Sequence, residues 1–336
     1  MRSVNVCLFL AALALLPDAV VAEVEVSPTA SIGGYEAKFV DVNGIRTRYY
    51  EEGSGEPMIL LHGAPWGGVA SANTWVDNLE TLSKHFHVYA PDRIGAGMTD
   101  NPKRDEDYNE TVMYQHMRDF IKTLDLAPVH VVGHSLGGLS LYMAAEEPEL
   151  VKTMVLISST HATPNVAVSQ RLTVLQTCST DEDGVDWFAE WKCRYKALSY
   201  DPSHVTDEFA ESIRFMNETE KAEFTRSKLR DPYIGGELHA NFYEFRRAMH
   251  KRIMDEGMLQ MPILLYWGRQ DPMQPLERMM ALYDVLAAKN PYVEMMITNK
   301  AGEFSYRERP EVFNQALINW IDSWRELGVL AVDGRK

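Results

Sequence analysis

Cysteine is scarce, positive charge is outnumbered, and a single apolar run is long enough to read as a targeting segment. Each shortage excludes something. There are three cysteines in 336 residues, and neither Cys178 nor Cys193 stands at metal-ligand spacing from a second Cys or His pair, so no metal site is expected. Lys and Arg number 33 against 48 Asp and Glu, a net charge of -15. That acidity argues against nucleic acid and anionic membrane surfaces as partners. The apolar run, Val6 to Leu16, is closed by Pro17 and Asp18 and is short for a bilayer. With Arg2 ahead and Val20-Val21-Ala22 behind, residues 1–22 read as a secretory signal cut after Ala22. The expectation is a secreted or periplasmic protein with no stable membrane insertion after cleavage. Cys7 leaves with the signal, and Cys178 and Cys193 remain as an even pair, either one disulfide or two buried thiols.

What is present is organised around Val129-His130-Val131-Val132 followed by Gly133-His134-Ser135-Leu136-Gly137 and the apolar stretch from Leu139 to Ala145. A β-branched run, a glycine-flanked serine and a helical stretch spell a strand, a tight turn and a helix. Glycines two residues either side of Ser135 relieve crowding that a side chain would create, so that the hydroxyl stands exposed on a strained turn. The Leu136 N–H, at the start of the new helix, then points where an oxyanion would form.

In chain order, residues 23–35 are rich in Ser and Pro near their middle and read as a flexible lead-in. Glu36 to Asp41, Asn43-Gly44 and Ile45 to Glu51 form a hairpin pattern, and Met58-Ile59-Leu60-Leu61 a buried strand. Asn73 to Lys84 and Thr111 to Leu124 have helical spacing, while His87 to Ala90 and Thr153 to Ile157 read as strands. This rhythm indicates right-handed βαβ units and a mostly parallel sheet. From His161 to Met258 the pattern turns to charge and aromatics at helical periods. Buried strands return at Pro262 to Gly268 and Tyr292 to Thr298, and a last helix spans Glu311 to Trp324 with Val312, Phe313, Ala316, Leu317, Trp320, Ile321 and Trp324 on one face.

Four motifs in order, His62-Gly63, Asp92-Arg93-Ile94-Gly95-Ala96-Gly97, the Ser135 turn and Gly268-Arg269-Gln270-Asp271, resemble the α/β-hydrolase superfamily, most closely the meta-cleavage-product hydrolases and related carboxylesterases. The resemblance implies an α/β-hydrolase fold whose core is residues 36–160 and 259–336, with an inserted helical cap at 161–258. It implies Ser135 as nucleophile, Asp271 as the acid, Leu136 and Ala64 as backbone oxyanion donors, and Asp92 as a loop brace. His62, Trp66, His134 and Phe304 are pocket candidates, with a structural role for His62 the competing reading. Serine at 135 argues against the haloalkane dehalogenases and epoxide hydrolases, which place aspartate there.

One position departs from the pattern. Where the family carries its histidine base, this chain has Glu303, in Asn299-Lys300-Ala301-Gly302-Glu303-Phe304. Carboxylate lies roughly two pKa units below imidazole, which weakens proton acceptance by about 3 kcal/mol. Asp271 nearby would raise one carboxyl, so that the pair shares a proton, an arrangement similar to the Ser-Glu-Asp site of the sedolisin peptidases. Three readings stand: Glu303 works as an unconventional base; the site is degenerate or altered and binds without turnover; or another histidine serves, His134, His161, His239 or His250. The expected activity is cofactor-independent hydrolysis of an ester, or a C–C bond, of a small hydrophobic substrate, with homo-oligomerisation left open.

Overall fold

The structure is a computed structural model that describes residues 25–64, 70–159, 178 and 186–330, and only the backbone at 237–242. The signal, Trp66 and His161, and the side chain of His239, lie outside the described residues.

Apolar runs separated by helical segments build one eight-stranded sheet. Its strands are β1 (Lys38–Val42), β2 (Ile45–Gly53), β3 (Pro57–Leu61), β4 (His87–Pro91), β5 (Val129–His134), β6 (Val151–Ile157), β7 (Ile263–Gly268) and β8 (Val293–Thr298), in the order β1-β2-β4-β3-β5-β6-β7-β8. Both pairings of β2 are antiparallel, and the rest are parallel. The β1–β2 hairpin closes on Asn43 and Gly44 at φ 53° and 81°, the paired left-handed turn that matches strand twist. β5 and β7 are buried along their whole length, as expected for strands covered on both faces.

Helices α1 (Val76–Leu82), α2 (Glu110–Thr123) and α3 (Ser140–Glu146) follow β3, β4 and β5. Among the described residues, α4 (Trp187–Leu198), α5 (Asp207–Asn217), α6 (Glu220–Leu229) and α7 (His239–Glu256) stand between β6 and β7, and α8 (Leu276–Ala287), α9 (Ser305–Glu308) and α10 (Pro310–Glu326) follow β7. Two cores result, one on each sheet face. On one, Met117, Phe120 and Ile121 of α2 and Leu141 of α3 meet the sheet. On the other, Leu79 and Leu82 of α1 meet Phe313, Leu317 and Ile321 of α10. Val312, expected on that buried face, is 39% exposed, because α10 turns only part of its apolar arc inward.

The expected flexible lead-in is held instead. Ala30 and Ile32 are buried, and Arg48, itself fully buried on β2, donates from Nε to the Thr29 carbonyl at 2.7 Å and from Nη2 to the Ala30 carbonyl at 3.0 Å. A guanidinium with five donors and no water must find protein acceptors, and the lead-in supplies two of them. The rest come from Asp92, at 3.2 Å from Nη1, and from Tyr50 and Asn73, each at 2.9 Å from Nη2. Asp92 also accepts from the N–H groups of Ala72 at 2.7 Å and Met98 at 2.8 Å, so it braces two loops behind the sheet's carboxyl edge.

Asp92→Ala should strand the Arg48 charge and lower stability by about 3–5 kcal/mol, the usual loss when one member of a buried pair is removed. Urea unfolding checks this; a loss under about 1 kcal/mol would mean that neutral acceptors suffice.

Candidate active site

The site sits at the carboxyl ends of β3, β5, β6 and β7, where the backbone is crowded. Ser135 follows β5 at φ 51°, a left-handed conformation that a non-glycine residue holds only when its surroundings enforce it. Gly133 and Gly137 are required around it. A Cβ at 133 would stand 2.5 Å from the Gly137 carbonyl oxygen, and one at 137 would stand 2.3 Å from that of Leu61. The turn is a 3₁₀ segment, Ser135–Leu139, that becomes α-helical at Ser140. The strand before it is buried, while Ser135 and Leu136 are partly exposed. The Ser159 hydroxyl donates to the Ser135 carbonyl at 2.7 Å.

The loop after β3 lies against this serine. A Cβ built on Gly63 would come within 2.8 Å of the Ser135 Cβ and 2.9 Å of His134 Nδ1, so only glycine fits. Ala64, the second expected oxyanion donor, has φ 68°. His62 is fully buried with both ring nitrogens engaged: Nε2 accepts from the Arg93 N–H at 3.0 Å, and Nδ1 donates to the Gly63 carbonyl at 2.9 Å. Burial holds it neutral, well below the ordinary imidazole range. The structural reading of His62 therefore replaces the pocket one, because a ring with no exposure and no vacant nitrogen cannot meet a ligand.

Asp271 and Glu303 come together from loops far apart in the chain. β7 ends at Gly268, where a Cβ would stand 2.1 Å from the Gly302 carbonyl oxygen, so the two loops touch. Asp271 Oδ1 accepts from the N–H groups of Met273 and Gln274, each at 2.8 Å, and its side chain also meets the Ser158 hydroxyl and the Glu303 carboxyl. It is 7% exposed, and burial pushes its carboxyl up to about 6. Glu303 is 5% exposed, its N–H donating at 3.0 Å to the Leu198 carbonyl at the end of α4.

His134, next to Ser135, faces the same loop: Nε2 lies 3.2 Å from the Glu303 carbonyl oxygen and 3.6 Å from its Oε1. Burial pushes this imidazole down to about 3, so it is neutral. It bridges the serine turn and the Glu303 loop instead of lining an open pocket. Phe304 is likewise 5% exposed, stacked on Tyr195 of α4 at 4.4 Å, and wedges the loop against that helix. Cys178 and Cys193 are joined in a disulfide that ties α4 to the preceding segment.

Other imidazoles have structural partners. His116 meets Thr47 at 2.9 Å; His130 meets Thr153 and Glu56, each at 2.8 Å; His204 meets Ser199 at 2.7 Å and Arg307 at 3.2 Å. Sequence reasoning passes over Ser158, Ser159 and Arg93. Their signal is position, the first residues beyond a buried strand, where side chains of α/β sheets converge.

The family model described as "alpha/beta hydrolase fold" matches residues 56–310, and the chain belongs to this family. It is 28% identical over 300 residues to the 2-hydroxy-6-oxo-6-(2'-aminophenyl)hexa-2,4-dienoic acid hydrolase of Metapseudomonas resinovorans, covering 87% of this chain and 92% of that one. To the 2-hydroxy-6-oxo-2,4-heptadienoate hydrolase of Pseudomonas putida it is 30% identical over 266 residues, covering 76% and 87%. Among solved structures, a mutant of the meta-cleavage product hydrolase of Pseudomonas fluorescens IP01, complexed with acetates, superposes with a TM-score of 0.68 at 23% identity, over 85% of this chain and 97% of that one. The fold is the shared α/β-hydrolase fold, as the four motifs implied.

Asp271 titrates higher in the folded chain than its usual 3.8. Between about pH 4 and 6 the unfolded chain therefore loses this proton first, and the group's contribution to stability falls as pH rises. The stability of the natural protein relative to Asp271→Asn should drop by roughly 3 kcal/mol from about pH 4 to 7, measured by urea unfolding. A pH-independent difference would show that Asp271 titrates alike in the folded and unfolded chains.

Proposed function

We propose that the protein is a serine hydrolase that cleaves an acyl bond, an ester in the first instance, of a small hydrophobic substrate, with Asp271 and Glu303 as a carboxyl pair that manages the proton. Ser135 attacks the carbonyl carbon, and its proton passes to the carboxylate of Glu303. The N–H groups of Leu136 and Ala64 receive the charge on the tetrahedral oxygen. Collapse returns the proton to the leaving oxygen, and water repeats the sequence on the acyl-enzyme. Asp271 orients Glu303 and holds it in the form that accepts.

The observation that carries this reading is the contact between the two carboxyls, both excluded from water, beside the turn that strains Ser135. A group of ordinary carboxylate strength would be a weak base for a hydroxyl. Burial of a carboxyl favours its protonated form and so strengthens it as a base. The helices between β6 and β7 serve as a cap that shapes the acyl pocket, and the N-terminal signal directs the chain to an oxidising compartment consistent with the bonded Cys178 and Cys193. Cleavage of a C–C bond is the second reading, favoured by the names of the two relatives.

Hydrolysis of p-nitrophenyl esters across pH tests the assignment. Ser135→Ala and Glu303→Gln should each lose activity by about 10²-fold or more, the usual weight of a positioned acid or base. Glu303→His should gain rate at neutral pH but fall off below about 6.5, where imidazole protonates, while the natural carboxylate persists to lower pH. Absence of turnover and of fluorophosphonate labelling at Ser135 at every pH, with a hydrophobic ligand still bound, would convert the reading to a binding protein. Loss of absorbance of a 2-hydroxy-6-oxo-dienoate, with esters untouched, would select C–C cleavage.

A further inference from the structure

Arg93 carries a second consequence of the crowded carboxyl edge. It follows Asp92 just past β4 and is 2% exposed. Its Nη2 donates to the Gly63 carbonyl at 2.6 Å and also closes on the Ala64 carbonyl, while Nη1 lies 3.0 Å from Met113 Sδ. The Gly63 carbonyl thus has two donors, Arg93 and His62 Nδ1. His62 is in turn held by the Arg93 backbone N–H.

In a trans peptide the C=O and the following N–H point in opposite directions. Two donors that draw the Gly63 carbonyl toward β4 therefore turn the Ala64 N–H the other way. β5, which runs into Ser135, flanks β3 on the side away from β4, and a Cβ built on Gly63 would stand 2.8 Å from the Ser135 Cβ. We infer that Arg93 is a positioning residue that locks the Gly63–Ala64 peptide with its N–H facing Ser135, so that the oxyanion site is formed before substrate arrives.

Two further observations agree. Ala64 keeps a left-handed φ of 68° that alanine rarely adopts, which requires that the carbonyls on both sides of it be anchored. A guanidinium buried this thoroughly, lowered to about 10 by desolvation and still charged at neutral pH, needs strong acceptors. It draws electron density through the peptide and makes the Ala64 N–H a better donor. A lysine keeps a cation but lacks the planar fork and its fixed reach, and a methionine supplies no donor.

The inference rests on the proposed hydrolase reading, and its test separates the two. Arg93→Met and Arg93→Lys are compared with the natural protein in kcat and KM for p-nitrophenyl butyrate, and in the ¹⁵N-alanine amide signal of residue 64, assigned by its loss in Ala64→Gly. Arg93→Met should lower kcat by about 10²-fold, the weight of one oxyanion donor, with KM within about threefold. It should also move the Ala64 amide signal, and Arg93→Lys should recover part of both. A kcat within about threefold of the natural value, or an unmoved amide signal, overturns the inference. If Arg93→Met does not fold, the partial loss in Arg93→Lys decides by the same two readouts. Should the natural protein hydrolyse no ester at any pH, the hydrolase reading fails by itself, and the locked peptide stands or falls on the amide signal.

Discussion

Two carboxyl groups that are both nearly excluded from water are costly to charge together, and the candidate site of this protein is arranged around that constraint. Asp271 and Glu303 meet because β7 and the loop before α9 approach until only glycine fits at position 268. Desolvation pushes the Asp271 carboxyl up, while the N–H groups of Gln274 and Met273 and the Glu303 side chain draw it back down. The nearest imidazole offers no relief, because His134 is buried and neutral. Burial is thus the largest influence on the proton affinity of Asp271 and sets this pair apart from carboxyls in water.

The same edge of the sheet stores backbone strain. Ala64, Ser135 and Ser158 are non-glycine residues at positive φ, and they stand just beyond β3, β5 and β6. Such conformations survive where surrounding contacts over-determine them. Here contacts are identifiable for two of them: Arg93 and His62 on the Gly63–Ala64 loop, and Ser159 on the Ser135 carbonyl. The helices between β6 and β7 join this arrangement through the Leu198 carbonyl and Tyr195, which hold Glu303 and Phe304.

Much of the fold was legible because its signals are local. The Asn43-Gly44 turn, the apolar runs of β3, β5 and β7, and the glycine spacing around Ser135 each depend on residues close together in the chain. Misreadings arose where distant partners decided. The lead-in reads as loose by its Ser and Pro content, yet Arg48 holds it, and nothing near residue 30 announces a buried guanidinium. Val312 has the apolar character of its neighbours on α10, but which part of the arc turns inward depends on the packing against α1 and the sheet. Phe304 and His134 read as pocket residues from their positions, and in the structure they pack against Tyr195 and the Glu303 loop, contacts that only the fold brings about.

The sequence by itself determined the order of strands and helices, the strained turn at Ser135 and the presence of glutamate at 303, where the family resemblance implies histidine, since pattern and residue identity are properties of the chain. Only the tertiary structure decided that Glu303 faces another carboxyl instead of water, that His134 is neutral, and that Arg93 grips the carbonyls opposite the serine. Proton affinity and peptide orientation depend on which charges and dipoles stand within a few ångströms, and that proximity exists only once remote segments have packed.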